Sequence, residues 1–297
     1  MSKLPRGKNY QGQALLLVLL SLAVILTVVL YVLSRSITDI YTTSRSEESV
    51  RAFSAAEAGI ERALIAGSTV GDLENASFNA SVSDVAFGGK YFNFPLPLPS
   101  GGSAVLFFVS HDEDGGLSCD DGSCFTGGKL EICWGNPGTS ASSETTPAIE
   151  ASIYYVSSPG DYSTVKVARA AIDPNDSRRG SNSFEAPDNG SCSIGDENYE
   201  FKETLNFSNL KIHPSSYGNE NGLQLVKVNI FYSTDTEHKV GFNVDLGGNS
   251  PLPSQGVRIE SVGTSGEANR KIEVFQGWGE VPQVFDSVVF SGTGIVK

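Results

Sequence analysis

Methionine is nearly missing from this chain. The initiator is the only one, which excludes a Met-rich groove of the kind that accepts many helices. Histidine is scarce too. His111, His213 and His238 lie far apart, and neither H-E-x-x-H nor G-x-S-x-G occurs, so the sequence offers no signature of a zinc protease or an α/β-hydrolase. Basic residues number 21 against 34 acidic ones, a net charge of −13, and phosphates would be repelled. No nucleic acid is expected as a partner. Acid is absent from the first twelve residues, charge is absent from Ala14 to Leu33, and proline is absent from Arg35 to Ala66.

What is present begins with that charge-free run. Twenty residues at about 1.5 Å each span the roughly 30 Å hydrocarbon core of a bilayer. Lipid offers the backbone no partner, so the run must be helical. Lys3, Arg6 and Lys8 precede it, and this bias predicts a cytoplasmic N-terminus and an extracytoplasmic remainder. A cleaved secretory signal is a rival reading. Its apolar region is shorter, however, and it ends in small residues, whereas this run ends in Val32-Leu33-Ser34-Arg35. An uncleaved signal anchor is the other rival.

The helical pattern continues past the span. Val50, Phe53, Ile60 and Leu64 recur at helical intervals among Ala55, Ala56, Ala58 and Ala63. Glu47 and Arg51 form a favourable i,i+4 pair, while Glu57 and Glu61 repel. One rod from Ala14 to Ala66 would be on the order of 80 Å long. Gly67-Ser68-Thr69 should end it, and its apolar stripe is expected to lie on a sheet.

Three segments now carry a resemblance. They are the basic leader ending in Gln11-Gly12, the run from Gln13 through Ala23, and Arg51-Ala-Phe-Ser-Ala-Ala-Glu-Ala-Gly-Ile-Glu-Arg-Ala-Leu64. Together they resemble the N-terminal region of type IV pilin-like proteins, and within them the PilX-type and GspK-like minor pilins. The resemblance covers roughly the first 66 residues. It implies that a prepilin peptidase cuts after Gly12 and that the new amine, on Gln13, is methylated. It further implies that the apolar half of the helix leaves the bilayer to pack among other pilin-like subunits, working with inner-membrane assembly machinery. Leu17, Phe53, Ala56, Glu57 and Gly59 are the assembly-helix positions it singles out. Two positions depart from the family pattern. Gln13 stands where Phe or Met is common, and Leu17 stands where a Glu usually pairs with a neighbour's amine. GspK-like tip subunits also lack that Glu, so a minor subunit, at the tip or in initiation, is the expectation.

From about residue 70 the pattern turns to short Val/Ile/Tyr/Phe runs between Gly, Asn, Asp, Ser and Pro. The candidate strands are Ala104–Ser110, Leu130–Trp134, Ala148–Val156, Val165–Ile172, Tyr199–Phe207, Leu223–Ser233, Lys239–Val244, Val257–Ser261, Lys271–Phe275 and Ser287–Phe290. The fold class expected is α+β, a long N-terminal transmembrane, pilin-like helix packed on a large antiparallel β-rich domain. The organisation expected is a leader at 1–12, the helix at 13–66 with its membrane span at 14–33, and one exported β-rich domain at 70–297. Within that domain, a polar stretch at 173–196 reads as an insertion or a divider between two lobes.

The four cysteines, Cys119, Cys124, Cys133 and Cys192, all follow the apolar run. In an exported region an even count reads as disulfides. Of three possible pairings, Cys119–Cys124 with Cys133–Cys192 is the one expected. Zinc competes weakly, because no second close ligand pair accompanies the C-x4-C spacing. Asp112, Asp114, Asp120 and Asp121 crowd a Gly-containing loop of the composition calcium prefers, although the third Asp/Asn and the distal Glu of an EF-hand are missing. A solvated acidic loop is the favoured reading of them, calcium the weaker one, and no other cofactor is expected. The stretch Gly122–Lys129 fails as a phosphate loop, since Leu130 stands where Ser or Thr is required. Tyr154, Tyr155, Phe231 and Tyr232 read as strand packing. The sequence therefore points to a non-enzymatic structural subunit. A signal-anchored surface adhesin or binding module, uncut at Gly12, is the alternative, and an anchored hydrolase is the third reading.

Overall fold

A computed structural model describes residues 11–112, 114–120 and 124–280. The leader through residue 10, Asp121 and the candidate strand Ser287–Phe290 lie outside the described residues. In chain order the elements begin with helix α1 (Gln11–Ala66), β1 (Thr69–Leu73), β2 (Ala76–Asp84), β3 (Tyr91–Asn93) and β4 (Ser103–Phe107). Next come β5 (Ser110–His111), β6 (Leu117–Ser118), β7 (Lys129–Trp134), β8 (Ala148–Val156) and β9 (Val165–Ile172). Helix α2 (Asp176–Asn182) precedes β10 (Cys192–Ile194), β11 (Glu197–Tyr199) and β12 (Phe201–Asn206). Helix α3 (Pro214–Tyr217), β13 (Leu223–Phe231), β14 (Val240–Asn243), β15 (Gly256–Ser265) and β16 (Ala268–Gly277) complete the described part. The chain is α+β, a long N-terminal apolar helix with antiparallel sheet.

Two compact units divide it. The first takes the described part of Met1–Ser81 together with Ile259–Val274, and the second takes Val82–Arg258 and the few described residues from Phe275 onward. The region expected as one β-rich domain is thus shared between them. In the first unit, α1 packs on a four-stranded sheet ordered β1-β2-β15-β16. The helix stops at Gly67, whose φ of +74° suits a residue without Cβ and whose N–H bonds Ala63 O at 2.9 Å. A two-residue turn with Asn75 at φ 61° joins β1 to β2, pairing Leu73 with Ala76.

In the second unit two antiparallel four-stranded sheets, ordered β12-β7-β14-β3 and β4-β13-β8-β9, share one core. Alternation decides which side chains enter it. Ile149, Ala151 and Ile153 of β8 face Val226, Val228 and Ile230 of β13 on the inner side, while Glu150 and Ser152 do not join that core. Trp134 is fully buried and its Nε1–H finds Pro147 O at 2.9 Å, so the large ring enters the core with its polar edge satisfied.

The polar stretch 173–196 is organised around one carboxylate. Asp173 is fully buried, and Arg178 meets it with two donors, Nε to Oδ2 at 3.0 Å and Nη2 to Oδ1 at 2.7 Å. Asn182 Nδ2 adds a third bond at 2.7 Å and the Asn175 N–H a fourth at 2.8 Å. Arg178 also donates to Glu144 O and Thr146 O and lies over the Tyr232 ring. A charge this deep is tolerated because every lone pair is used.

Both disulfides exist, Cys119–Cys124 and Cys133–Cys192, and no cysteine is free. The second ties β7 to β10.

Candidate functional site

The helix and its sheet form the candidate site. Gly12 and Gln13 lie in the first turn of α1. From Leu15 to Ser46 every residue is exposed, and Leu17 is no exception. One helix is therefore long and apolar enough to cross a membrane. Its few hydroxyls are absorbed by the helix itself. Ser21 Oγ donates to Val18 O at 2.9 Å and Thr27 Oγ1 to Val24 O at 2.8 Å, which removes the cost of placing them in lipid.

The C-terminal half is different. Ala52, Ala55, Ala56, Gly59, Ile60 and Ala63 are buried, at spacings of three and four that trace one face. These are mostly small residues, and the sheet explains why. A Cβ on Gly263 of β15 would lie 1.9 Å from Ala52 O and 2.5 Å from Ala56 N, so backbone approaches backbone. Phe78 of β2 is buried at 2% exposure, and a Cβ on either Gly59 or Gly71 would crowd its ring at 2.9 and 2.4 Å. Arg62 lies 5.2 Å from the centre of the same ring.

The expected stripe is therefore corrected. Ile60 faces the sheet, but Val50, Phe53 and Leu64 stay 63%, 46% and 51% exposed. Size pointed to the wrong face, because a helix seated this closely takes mostly Ala and Gly against the sheet, with Ile60 the one large side chain of the stripe. Phe53 and Glu57 project from the exposed side, while Ala56 and Gly59 are buried. Polar clasps hold the upper edge. Arg45 pairs with Glu267, the Glu267 N–H reaches Glu48 Oε2 at 3.3 Å, and Arg270 Nη2 donates to Ser49 Oγ at 2.6 Å. Glu47 and Arg51 make the expected i,i+4 pair.

The chain matches no protein-family model and no curated protein. Its capacity must be read from its own geometry.

The other candidates are engaged in structure. Asp112 Oδ1 accepts the N–H groups of Asp114 at 3.0 Å and Gly116 at 2.7 Å, closing the β5–β6 loop on itself. Asp120 sits after β6, its N–H bonded to Ser118 Oγ at 3.2 Å, and Asp121 is outside the described residues. Glu131 comes close to Cys133 and Cys192, a grouping the sequence did not suggest. Their sulfurs are joined to each other, so no thiolate remains to bind a metal. His111 stacks on Trp278 at 4.4 Å and meets Phe107 edge-on at 4.7 Å, and burial lowers its pKa. His238 Nδ1 accepts from the Asn136 N–H at 3.1 Å, with its pKa likewise lowered by burial. His213 caps α3, accepting from the Ser215 N–H at 3.2 Å.

Proposed function

We propose that this chain is a non-enzymatic, pilin-like minor subunit, held in a membrane by α1 before it joins a type IV pilus or a related secretion filament. The observation that carries this reading is the division of α1. From Leu15 to Leu33 it offers an exposed apolar surface, and its C-terminal half is seated mostly by Ala and Gly on an antiparallel sheet. Such a helix can exchange lipid for neighbouring apolar helices at little cost, because both surroundings are equally apolar. Lys3, Arg6 and Lys8 would hold the N-terminus in the cytoplasm until cleavage after Gly12 removes them. The two disulfides suit an oxidising, extracytoplasmic compartment for the β-rich part. Leu17 supplies no carboxylate to meet a neighbour's amine, which favours a tip or initiating position over a repeating one.

Deletion followed by complementation tests the reading. Filaments, or secretion through them, should fall in the deletion strain, return with the wild-type chain, and stay absent with Gly12→Val. Full filament numbers without the chain, or full rescue by Gly12→Val, would instead leave a single-pass anchored surface domain, uncut at Gly12.

A further inference from the structure

Two Asn-Gly pairs occur in the chain, Asn189-Gly190 and Asn221-Gly222. In such a pair the side-chain amide carbon lies close to the next backbone nitrogen, and glycine has no Cβ to shield that nitrogen. The nitrogen can then attack the amide carbon from within the chain. Freedom decides whether it does, because the amide must turn and the backbone must close a five-membered ring. The fold gives the two pairs opposite surroundings.

Asn221 is held at the entry to β13. Its backbone sits at φ 57°, and its O accepts from Gln224 Nε2 at 3.0 Å and from the Gly160 N–H at 3.3 Å. Its Oδ1 accepts from Gln224 Nε2 at 3.2 Å and from the Tyr162 hydroxyl at 3.3 Å, so the amide is fixed in place. Gly222 is buried, its O accepts from the Val156 N–H at 2.8 Å, and a Cβ there would lie 1.9 Å from Ser216 O. Ring closure at this pair would have to break all of these contacts.

Asn189 lies in the connection that enters β10. Asn189, Gly190 and Ser191 are all exposed. Among the described residues, neither the Asn189 amide nor the Gly190 N–H has a hydrogen-bond partner. Gly190 sits at φ +89°, and nothing stands within 4 Å of where its Cβ would be. The chain on either side is pinned. The Asp188 N–H donates to Lys202 O at 3.0 Å, Asp188 Oδ2 accepts from the Thr204 N–H at 3.0 Å, and Cys192 is joined to Cys133. Rearrangement at Asn189 is thus confined to three residues and needs no unfolding.

We propose that Asn189 is a site of spontaneous deamidation in the folded protein, converting to aspartate and isoaspartate while Asn221 stays intact. The Gly190 nitrogen gives its proton to solvent and bonds to Asn189 Cγ. The Cγ–Nδ2 bond breaks, and ammonia leaves with a proton taken from solvent. Water then adds to one of the two carbonyl carbons of the resulting succinimide, and the ring C–N bond at that carbon breaks to leave a carboxylate. One water enters, one ammonia leaves, and nothing is oxidised or reduced. The new carboxylate follows Asp188 in a chain whose net charge is already −13. The isoaspartate form also lengthens the main chain by one carbon, just ahead of Cys192. The site is independent of the filament reading.

The test uses the full chain in lipid nanodiscs, held in mildly alkaline buffer made with water labelled in heavy oxygen. Samples taken over time are reduced, digested and sequenced by tandem mass spectrometry, with electron-transfer fragmentation separating isoaspartate from aspartate. Asn189 should take up the label at least about tenfold faster than Asn221, whose hydrogen bonds must break first. In the reduced, denatured chain the two pairs should react at matching rates. Equal rates in the folded chain, faster conversion at Asn221, or an intact Asn189 in the folded chain overturns the proposal. A preference for Asn189 that persists in the denatured chain also overturns it, since local sequence and not the fold would then select the site.

Discussion

At Gly263 the spacing of two elements is set by one missing methyl group. Its absent Cβ would strike Ala52 O and Ala56 N, which are backbone atoms of α1 and cannot rotate away. Gly263→Ala should therefore lift the helix and cost about 1–3 kcal/mol, the usual penalty of overpacking, seen as a lowered Tm. Phe53 is the contrasting case. It is 46% exposed, so Phe53→Ser should change stability by no more than about 0.5 kcal/mol while reducing recruitment into filaments, scored by co-purification. Equal losses of stability in the two variants would contradict the assignment of faces. Glu203 makes a pH-dependent contribution. Burial first, then the nearby Asp188 carboxylate, raises its pKa from 4.5 to about 7, against the Asp188 N–H that donates to its Oε2. The folded state thus holds this proton more tightly than the unfolded chain does. Stability should fall as pH rises from about 4.5 to about 7 and level off above. Glu203→Gln should flatten that part of the Tm–pH curve, and an unchanged slope would remove Glu203 as its source.

At the scale of elements, what the sequence made legible followed strand composition and the turn residues beside it. Ala148–Val156 and Val165–Ile172 are short runs rich in Val, Ile, Tyr and Ala, and are strands with those bounds. The helix end at Gly67 was readable because only a residue tolerant of positive φ closes α1 there. Strands β1 and β2 were not foreseen. Thr-Val-Gly-Asp-Leu and Ala-Ser-Phe-Asn-Ala-Ser-Val-Ser-Asp look like loop by composition, and only the pairing of Gly71 with Phe78 makes sense of their small residues. The reversed stripe on α1 has the same origin, since close packing favours the side chains that hydrophobicity ranks lowest. The polar stretch 173–196 concealed the Asp173–Arg178 hub, because burial of a charge depends on partners distant in sequence such as Thr146. Removing one side of that pair, as in Asp173→Ala, should cost about 3–5 kcal/mol by denaturant titration, for it leaves a guanidinium short of its carboxylate. The disulfides differ in reach. Cys133–Cys192 closes 59 residues and Cys119–Cys124 only 5, so losing the longer link should cost the more stability, roughly 4 against 2 kcal/mol on the loop-entropy account, read as the larger fall in Tm.

The whole molecule separates two units along one chain. The first unit carries the exposed apolar helix and gathers strands from both sides of the second unit's sequence. The second unit holds both disulfides and the large core. The proposed anchoring and assembly thus rest on one body. The central claim concerns α1 and its leader. Mass spectrometry of the mature N-terminus, on chain taken from membranes of a cell with a prepilin peptidase, tests it most directly. A chain beginning at Gln13, carrying an added methyl group on its amine, is the predicted result; an intact leader, or a cut beyond Leu33, would contradict it.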